Sequence, residues 1–326
     1  MSKVHIVVSK YMNNFNVLHQ GIEIAGKRVY FHNDPQVSII DGEAHFNFDY
    51  IISNGTMTID DTLVEDLVPS SMVTTTRRYD KNIQAVRINN FVQDQDFKKF
   101  HKIKAWSHLQ KEGFAHLVDL KGKVVIKPKD GARGIGQLLV DTDQISLTRV
   151  VEDLNKFLVD GYDKQPLLDL IASNPNSIKY SIGAERSPDE GLTVLFEQGY
   201  VIQSFVENLK DEYRLLTDHN CNIVYCQIRK TRIYKNGFPQ ATGSNADGLL
   251  GKDVVDINTV LSKVALKQLT AIAKSVIGPV SSIDLFITNS GEWGIFEYCN
   301  QFGVKGVPYK KVLEIHKNFV EHLITK

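Results

Sequence analysis

The chain has 326 residues, of which 42% are hydrophobic and 23% are charged, so it can bury a sizeable core in two or three lobes. Its 38 Lys and Arg residues balance its 38 Asp and Glu residues, so no overall basic field favours nucleic acid or acidic membranes. The apolar run after Val4 is too short for a signal peptide, and the sequence has no apolar span of about 18 residues. We therefore expect a cytoplasmic protein with neither nucleic-acid nor membrane partners.

The three cysteines carry no recognisable metal or disulfide pattern. Cys221, Cys226 and Cys299 have neither the spacing of a zinc site nor the even number of a disulfide framework. We expect them to be reduced thiols.

The N-terminal region, from Val4 to about Val92, alternates short apolar runs with polar, turn-rich stretches. This pattern is typical of a small α/β lobe. Its apolar runs are residues 4–8, 37–40, 50–52 and 85–88.

The next segment, residues 94–112, is predicted to be a helix. Phe97, Phe100 and Ile103, followed by Trp106 or Leu109, recur near one stripe, and Gly113 is a stop signal. The polar side of this predicted helix carries four lysines, Lys98, Lys99, Lys102 and Lys104.

A glycine-rich hairpin is the clearest chemical signal in the chain. A strand ends at Lys127-Pro128, and a loop with Gly131, Gly134 and Gly136 leads into a second strand at 137–140. Glycines let backbone N–H groups approach an anion, and the lysine adds a compact positive charge suited to phosphate oxygens. An ordinary turn with a solvated lysine is the alternative. Rossmann and P-loop sites are excluded, because both need a helix where a strand follows here.

Four helices and two strands are predicted along the rest of the chain. The helices fall at 147–158, 166–172, 258–277 and 310–324, and Gly278-Pro279 stops the third of them. The strands fall at 200–205 and 222–230, and residues 183–190 read as a polar loop.

Two apolar runs near the C-terminus, 282–288 and 293–299, flank the turn sequence Asn-Ser-Gly-Glu and predict a β-hairpin. A turn centred on Ser290 and Gly291 places Asp284 opposite Glu297. Like charges at the roughly 4.5–5.5 Å of a cross-strand pair are destabilising unless something compensates them. Mg²⁺, which takes one or two carboxylates plus substrate phosphates, is one compensation. The alternative is that one carboxylate faces solvent or pairs with a lysine.

The order of these motifs resembles the ATP-grasp superfamily, in particular its carboxylate–amine ligases such as D-alanine ligases, glutathione synthetases and ribosomal-protein glutamate ligases. The likeness runs from about Asn90 to Pro308. It implies an α+β ATP-grasp fold, in which two α+β lobes clasp ATP between antiparallel sheets, preceded by a small α/β N-terminal lobe. The implied domains are residues 1–92 and 93–326, with a glycine-hairpin lid lobe at about 113–204.

The resemblance also implies which residues hold the nucleotide phosphates. The segment 97–109 is similar to the family's "DK" helix, whose lysine contacts phosphate, and Lys102 takes that place with Lys104 as a rival. His101 stands where the family usually has Asp. Lys127 and the glycines Gly131, Gly134 and Gly136 match the family's second phosphate lysine and its mobile cover.

Further cofactor-binding and catalytic residues follow from the same resemblance. The segment 200–208 is similar to the interlobe strand that lines the nucleoside pocket, which implies roles for Gln203, Phe205 and Glu207. Arg214 matches an acidic-x-Arg element, while Arg229 stands where the family keeps a basic residue for the transferred phosphate. Without this pattern both arginines read as surface ion pairs. Asn245 falls in the family's Asn and Gly stretch near the acyl phosphate.

The metal motif departs from the family pattern. The family commonly has Glu-x-Asn, whereas this chain has Glu297-Tyr-Cys299-Asn300. Because Mg²⁺ prefers oxygen to sulfur, Asn300 is favoured over Cys299 as the third ligand beside Asp284 and Glu297.

The function that the resemblance implies is ATP-dependent joining of a carboxylate to an amine through an acyl phosphate, with release of ADP and phosphate. Its cofactors are ATP and Mg²⁺, with Mn²⁺ as a substitute, and its substrates are small-molecule or peptide carboxylates and amines. An ATP-binding sensor or structural protein without turnover and a kinase without ligation are the alternatives. The substrates and the oligomeric state, including a homo-oligomer, stay undecided.

Overall fold

The computed structural model describes residues 1–8, 18–33, 36–41, 43–53, 58–59, 62–63, 69, 73–75, 81–95, 97–107, 121–129, 136–159, 165–181, 195, 199–229, 232–235, 238–241, 253–299 and 307–326. The described strands, in chain order, are β1 (Lys3–Val8), β2 (Ile22–Ile24), β3 (Lys27–His32), β4 (Val37–Ile40), β5 (Glu43–Phe46), β6 (Tyr50–Ser53), β7 (Thr58–Ile59), β8 (Thr62–Leu63), β9 (Val73–Thr75), β10 (Ala105–Ser107), β11 (Lys123–Pro128), β12 (Gln137–Asp141), β13 (Ile178–Ser181), β14 (Tyr200–Ser204), β15 (Leu209–Thr217), β16 (Ile223–Arg229), β17 (Arg232–Lys235), β18 (Phe238–Ala241), β19 (Ser282–Thr288) and β20 (Trp293–Cys299). The described helices are α1 (Lys81–Gln93), α2 (Leu147–Val159), α3 (Gln165–Ser173), α4 (Ile257–Val260), α5 (Lys263–Ile272) and α6 (Tyr309–Thr325).

The N-terminal sheet has the spatial order β2-β3-β1-β6-β9. β1, β3, β6 and β9 are parallel, and β2 is an antiparallel edge strand. The apolar runs at 4–8, 37–40 and 50–52 lie in strands. The apolar run at 85–88 lies inside helix α1.

A second, antiparallel sheet has the order β10-β14-β11-β12-β13 and contains the predicted glycine hairpin. One face is apolar and packs on α2 and α3, as the alternation of side chains along a half-buried strand requires. Ile126, Leu138 and Ile202 lie on that face, against Leu154 and Leu167. The opposite face is left for the polar side chains of the site.

A third sheet, also antiparallel, has the order β16-β15-β19-β20. Its apolar face, which includes Leu215, Ile283 and Leu285, packs against helix α5 through Leu269 and Ile272. The hairpin predicted at 282–288 and 293–299 is confirmed with the same bounds. The predicted helices at 147–158, 166–172 and 310–324 and the strands at 200–205 and 222–230 are confirmed within one or two residues.

The helix predicted at 94–112 is wrong over its described part. Helix α1 ends at Gln93, and Ala105–Ser107 form strand β10. Backbone bonds to the start of β20 hold the segment between them: the His101 N–H donates to the Trp293 carbonyl, and the Trp293 N–H donates to the Lys99 carbonyl. The aromatic spacing imitates a helix, but pairing with a neighbouring strand overrides it.

The helix predicted at 258–277 is interrupted near its start. Helix α4 ends at Val260, and the Ser262 hydroxyl accepts a hydrogen bond from the Ala265 N–H and caps helix α5. A π-helical turn, Ala273–Ile277, follows α5. Gly278, with φ of 98°, ends it as predicted. Within the described residues, no helix combines the length and the apolar character that crossing a bilayer requires.

The C-terminal helix α6 packs on the N-terminal sheet. Val312, Phe319 and Ile324 share one buried cluster with Val4 and Ile6 of β1. The Lys27 ammonium, at the start of β3, donates to the Ile324 carbonyl at 2.9 Å. The two ends of the chain therefore bury each other.

Protonation of His316 should destabilise this packing. Burial lowers the pKa of His316 from 6.5 to about 4, and its Nδ1 lies 2.8 Å from the Val312 carbonyl. A histidine with a lowered folded-state pKa contributes stability that is present above the unfolded pKa and is lost as pH falls through this window. We expect the free energy of unfolding to fall by about 2 kcal/mol between pH 7 and pH 5 through this group.

Urea unfolding across this pH range measures the effect. His316→Gln should flatten the pH dependence, whereas His45→Gln, which changes an exposed histidine, should leave it unchanged. Equal slopes in wild type and His316→Gln would contradict the prediction.

Gly294 is expected to reject a side chain. A Cβ built there lies 2.4 Å from Phe286 Cζ and 2.7 Å from the His101 carbonyl oxygen. Gly294→Ala should therefore cost about 1–3 kcal/mol of stability through overpacking. Chemical denaturation in wild-type and Phe286→Leu backgrounds measures it: trimming the ring should reduce the cost, and equal costs in both backgrounds would argue against the overlap.

Candidate functional site

A row of charged side chains crosses the third sheet on the face opposite its apolar core. Arg214 on β15 is the register partner of Asp284 on β19, and Asp284 is the partner of Glu297 on β20. The predicted pairing of the two carboxylates is confirmed. Asp284 is only 8% exposed, whereas the Glu297 side chain is 40% exposed.

The pairing arises differently from the prediction. Near the turn, Ile287 pairs with Trp293 and Leu285 with Ile295, so the turn centres on Ser290 alone. A β-bulge then inserts one extra residue before Glu297 and shifts the register by one. The bulge therefore aims Glu297 across at Asp284.

Two arginines hold Asp284. Arg214 donates from Nε to Oδ1 at 3.0 Å and from Nη2 to Oδ2 at 3.1 Å. Arg229 Nη1, from β16, lies 3.2 Å from Oδ2. Burial raises the pKa of Asp284 to about 6, although Arg214 opposes the rise. Both predicted catalytic arginines are thus partly buried partners of one buried carboxylate, not surface ion pairs.

Lys127 approaches this row from the second sheet. It lies on β11, is 9% exposed, and is the register partner of Val201, so its side chain leaves the sheet on the face away from α2 and α3. Burial and then the ammonium of Lys81 lower the pKa of Lys127 to about 8, while the carboxylates of Glu297 and Asp284 oppose this. A buried ammonium facing two carboxylates joins the two sheets electrostatically.

Lys81 belongs to the site and was not predicted. It is the first residue of α1 and is 8% exposed. Its Nζ donates to the Pro128 carbonyl at 3.3 Å and lies 3.8 Å from Glu297 Oε2. The signal was present in the sequence as Asp80-Lys81, the two letters by which the "DK" helix is known, just before the helix that the apolar pattern missed.

The predicted nucleoside residues lie along β14 and just beyond it. Gln203 is 4% exposed and its Nε2 donates to the Lys81 carbonyl at 3.4 Å. The Phe205 N–H donates to the Lys123 carbonyl, and Glu207 is an exposed residue whose carboxylate lies 3.8 Å from Lys123 Nζ. Gln203 therefore joins the site directly, whereas Glu207 lies at the surface.

Lys102 was predicted to contact phosphate from a helix at 94–112. It is exposed and follows His101 in the extended segment beside β20. No contact between described residues connects it to Asp284 or Glu297. Of the three predicted glycines, Gly136 is described and has φ of 69°, the left-handed conformation for which glycine is suited. Gly131, Gly134, Asn245 and Asn300 lie outside the described residues.

Cys299 lies on the same face as Glu297. It pairs with Ser282, two residues along each strand from the Asp284–Glu297 pair, and is partly exposed. Strand alternation therefore puts the thiol beside the carboxylates.

The donors suit a hard divalent cation. Within the described residues, no three His, Cys, Asp or Glu side chains cluster closely enough to hold a metal by themselves. Asp284 and Glu297 provide two carboxylates on adjacent strands, which is the number that Mg²⁺ takes when substrate phosphates and water complete its shell.

Of the comparisons with known proteins, only the comparison of structures finds matches, and these cover the whole chain. No family model matches, and a search of curated proteins finds no match. A RiPP-associated ATP-grasp ligase of Chryseobacterium gregarium, in complex with ADP and a leader and core peptide, has a TM-score of 0.52 at 11% identity, covering 100% of this chain and 97% of that one. The macrocyclase MdnC of Microcystis aeruginosa, bound with precursor peptide MdnA, has a TM-score of 0.52 at 11% identity and covers 100% of both chains.

A third structure is the D-alanine–D-alanine ligase of Bacillus anthracis complexed with ATP. Its TM-score is 0.50 at 12% identity, covering 100% of this chain and 99% of that one. At sequence identities this low, the matches show the fold alone. The two antiparallel sheets with facing charged side chains, together with these whole-chain matches, show that the chain has the fold of the ATP-grasp superfamily.

Proposed function

We propose that the chain is an ATP-dependent ligase that joins a carboxylate to an amine through an acyl phosphate, releasing ADP and phosphate. One observation carries the proposal: Lys127 of one sheet and Asp284 and Glu297 of the other form one charged cluster with Lys81, and all of these side chains except Glu297 are buried. Ammonium groups beside carboxylates can together hold a metal-bound polyphosphate.

In this proposal Lys81 and Lys127 contact phosphate oxygens, and Lys81 replaces Lys102 as the "DK" lysine. Both ammonium groups are already desolvated, so their interaction with an anion is stronger than that of a surface lysine. Gln203, which holds the Lys81 carbonyl, connects the nucleoside side of the site to its phosphate side.

Asp284 and Glu297 would hold Mg²⁺, with Asn300 or Cys299 as the third protein ligand. When bound, this ion supplies charge neutralisation for the β- and γ-phosphoryl oxygens. Arg214 and Arg229, which contact Asp284, would bind the substrate carboxylate and the transferred phosphoryl group. The substrate carboxylate would attack the γ-phosphorus and displace ADP, and the amine would then attack the carbonyl carbon of the acyl phosphate and displace phosphate. The same guanidinium groups would stabilise the oxyanion that forms.

The structural neighbours bind peptides and D-alanine-type substrates according to their descriptions, so we infer a small molecule or a peptide as the carboxylate and amine donors here. The 141–199 region is longer than the resemblance leads one to expect, and we propose that its extra residues either shape the acceptor site or bind a partner. We retain residues 1–92 and 93–326 as the proposed domains and the cytoplasm as the proposed location.

Product analysis tests the ligase. The protein is incubated with ATP, Mg²⁺ and pools of amino acids, polyamines and peptides, and ADP release and new amides are followed by mass spectrometry. A ligase needs both co-substrates and forms an amide. ADP release with a phosphorylated substrate and no amide supports a kinase instead.

ATP binding without turnover is the second candidate, and the arginine clamp favours it. Three guanidinium contacts already engage both oxygens of Asp284. A carboxylate saturated in this way is a weaker metal ligand. Tight ATP binding whose affinity does not depend on Mg²⁺, with no ADP release from any substrate pool, would support a nucleotide sensor.

A further inference from the structure

We propose that Gln84 is a positioning residue that sets the direction of the Glu297 carboxylate by holding the backbone at Tyr298. This inference rests on the proposed nucleotide and metal site. Gln84 is 7% exposed, and its Oε1 accepts a hydrogen bond from the Tyr298 N–H at 3.0 Å. Tyr298 directly follows Glu297 in β20.

The bond is needed because β20 is an edge strand. Tyr298 pairs with Ile283 on one side, and no strand of the described chain lies on its other side at that point. An edge strand presents N–H groups that have no strand partner. Tyr298 is only 3% exposed, so water does not readily supply the missing acceptor. Gln84 takes the place of the absent strand.

Glu297 is consequently fixed from both directions along its strand. The β-bulge precedes it and the Gln84 contact follows it. A bulge increases local twist and weakens the ladder, so the residue next to it needs a second restraint to keep one direction. Gln84 supplies that restraint from helix α1.

Helix α1 couples the same restraint to Lys81. Gln84 lies three residues after Lys81, so both side chains leave the same face of the helix. Lys81 contacts the Glu297 carboxylate, and Gln84 contacts the backbone N–H of the next residue, Tyr298. Loss of the Gln84 contact should therefore change the relation between the proposed phosphate lysine and the proposed metal ligand.

The test separates positioning from general stability by measuring nucleotide affinity with and without metal. Isothermal titration of a nonhydrolysable ATP analogue is carried out with Mg²⁺ and with EDTA. The ratio of the two affinities, here called the metal factor, is the factor by which metal tightens binding. Gln84→Met keeps the shape and removes the acceptor, Gln84→Glu keeps an acceptor oxygen, and Gln93→Met changes an exposed glutamine at the end of the same helix.

We expect Gln84→Met to reduce the metal factor by about tenfold or more while metal-free affinity stays within about threefold of wild type. Gln93→Met should keep the metal factor, and Gln84→Glu should keep more of it than Gln84→Met does, because the acceptor stays although a carboxylate is added near Glu297. If Gln84→Met does not fold, Gln84→Asn, which withdraws the acceptor by one methylene, takes its place. A preserved metal factor in the acceptor-deficient variant, or equal losses with and without metal, would overturn the inference and leave the proposed function standing. Absence of nucleotide binding by the wild-type protein would overturn both.

Discussion

Replacing Lys127 with methionine is expected to weaken ATP binding by about 100-fold without reducing stability. Methionine keeps much of the side-chain length and removes the ammonium, which is buried and has a pKa lowered to about 8 by burial and by Lys81. Loss of a charge-assisted contact to phosphate costs about 2–3 kcal/mol, or about 100-fold in affinity. Because the folded protein destabilises the charged lysine, the variant should unfold at the same temperature as wild type or higher.

Calorimetric titration with an ATP analogue and a thermal melt in the absence of nucleotide measure the two effects. Lys3→Met, which neutralises an exposed lysine of β1, is the matched control and should change neither. A variant that binds ATP normally would remove Lys127 from the site. A variant that melts well below wild type would assign it a structural role.

The second large effect concerns the two carboxylates, which should respond differently to loss of charge. Asp284→Asn leaves Arg214 and Arg229, which are partly buried, without their anion, and the expected cost is about 3 kcal/mol, the lower end of the range for a broken buried ion pair. Glu297→Gln changes a half-exposed carboxylate 3.8 Å from Lys81 and should cost less than about 1 kcal/mol. Both variants should lose the Mg²⁺ dependence of nucleotide binding.

Urea denaturation and metal-dependent titration on the two variants check this. The expected pattern is one unstable variant and one stable variant that share a defect in metal-dependent binding. Equal stability of the two would show that the arginine contacts of Asp284 contribute little to folding. Normal Mg²⁺ dependence in Glu297→Gln would exclude Glu297 as a metal ligand.

The hairpin of β19 and β20 was predictable because its local sequence alone indicates two strands and a turn. Two apolar runs flank a turn with Gly291, which adopts φ of 77°. The predicted pairing of Asp284 with Glu297 was right although the turn centre was off by half a residue, because the bulge restored the register. A bulge has no sequence signature in this hairpin, so only the structure explains why the two acids meet.

Helix α1 escaped prediction because its buried face is partly polar. Lys81, Gln84, Ile88 and Val92 form the buried stripe, and the first two serve the site instead of the core. A pattern search for apolar residues at helical spacing finds only half of such a stripe. The polar residues that make the helix functional are the ones that conceal it.

The segment after α1 failed for the opposite reason. Phe97, Phe100 and Ile103 are apolar at near-helical spacing, yet Phe97 and Phe100 pack edge to face and Phe100 packs on Trp293. The long-range contact of Phe100 with Trp293, and the backbone bonds of His101 to β20, fix an extended path. Single-sequence periodicity contains no information about contacts with residues nearly two hundred positions away.

The packing of helix α6 on the first strand has a consequence for biosynthesis. Val4 and Ile6 share their core with Phe319 and Ile324, so these strand residues can complete their burial only after helix α6, some three hundred positions later, has left the ribosome. Contacts of such sequence separation form slowly and leave apolar strands uncovered meanwhile. The nascent N-terminal lobe should therefore bind chaperones throughout translation, and truncation before residue 312 should leave it insoluble.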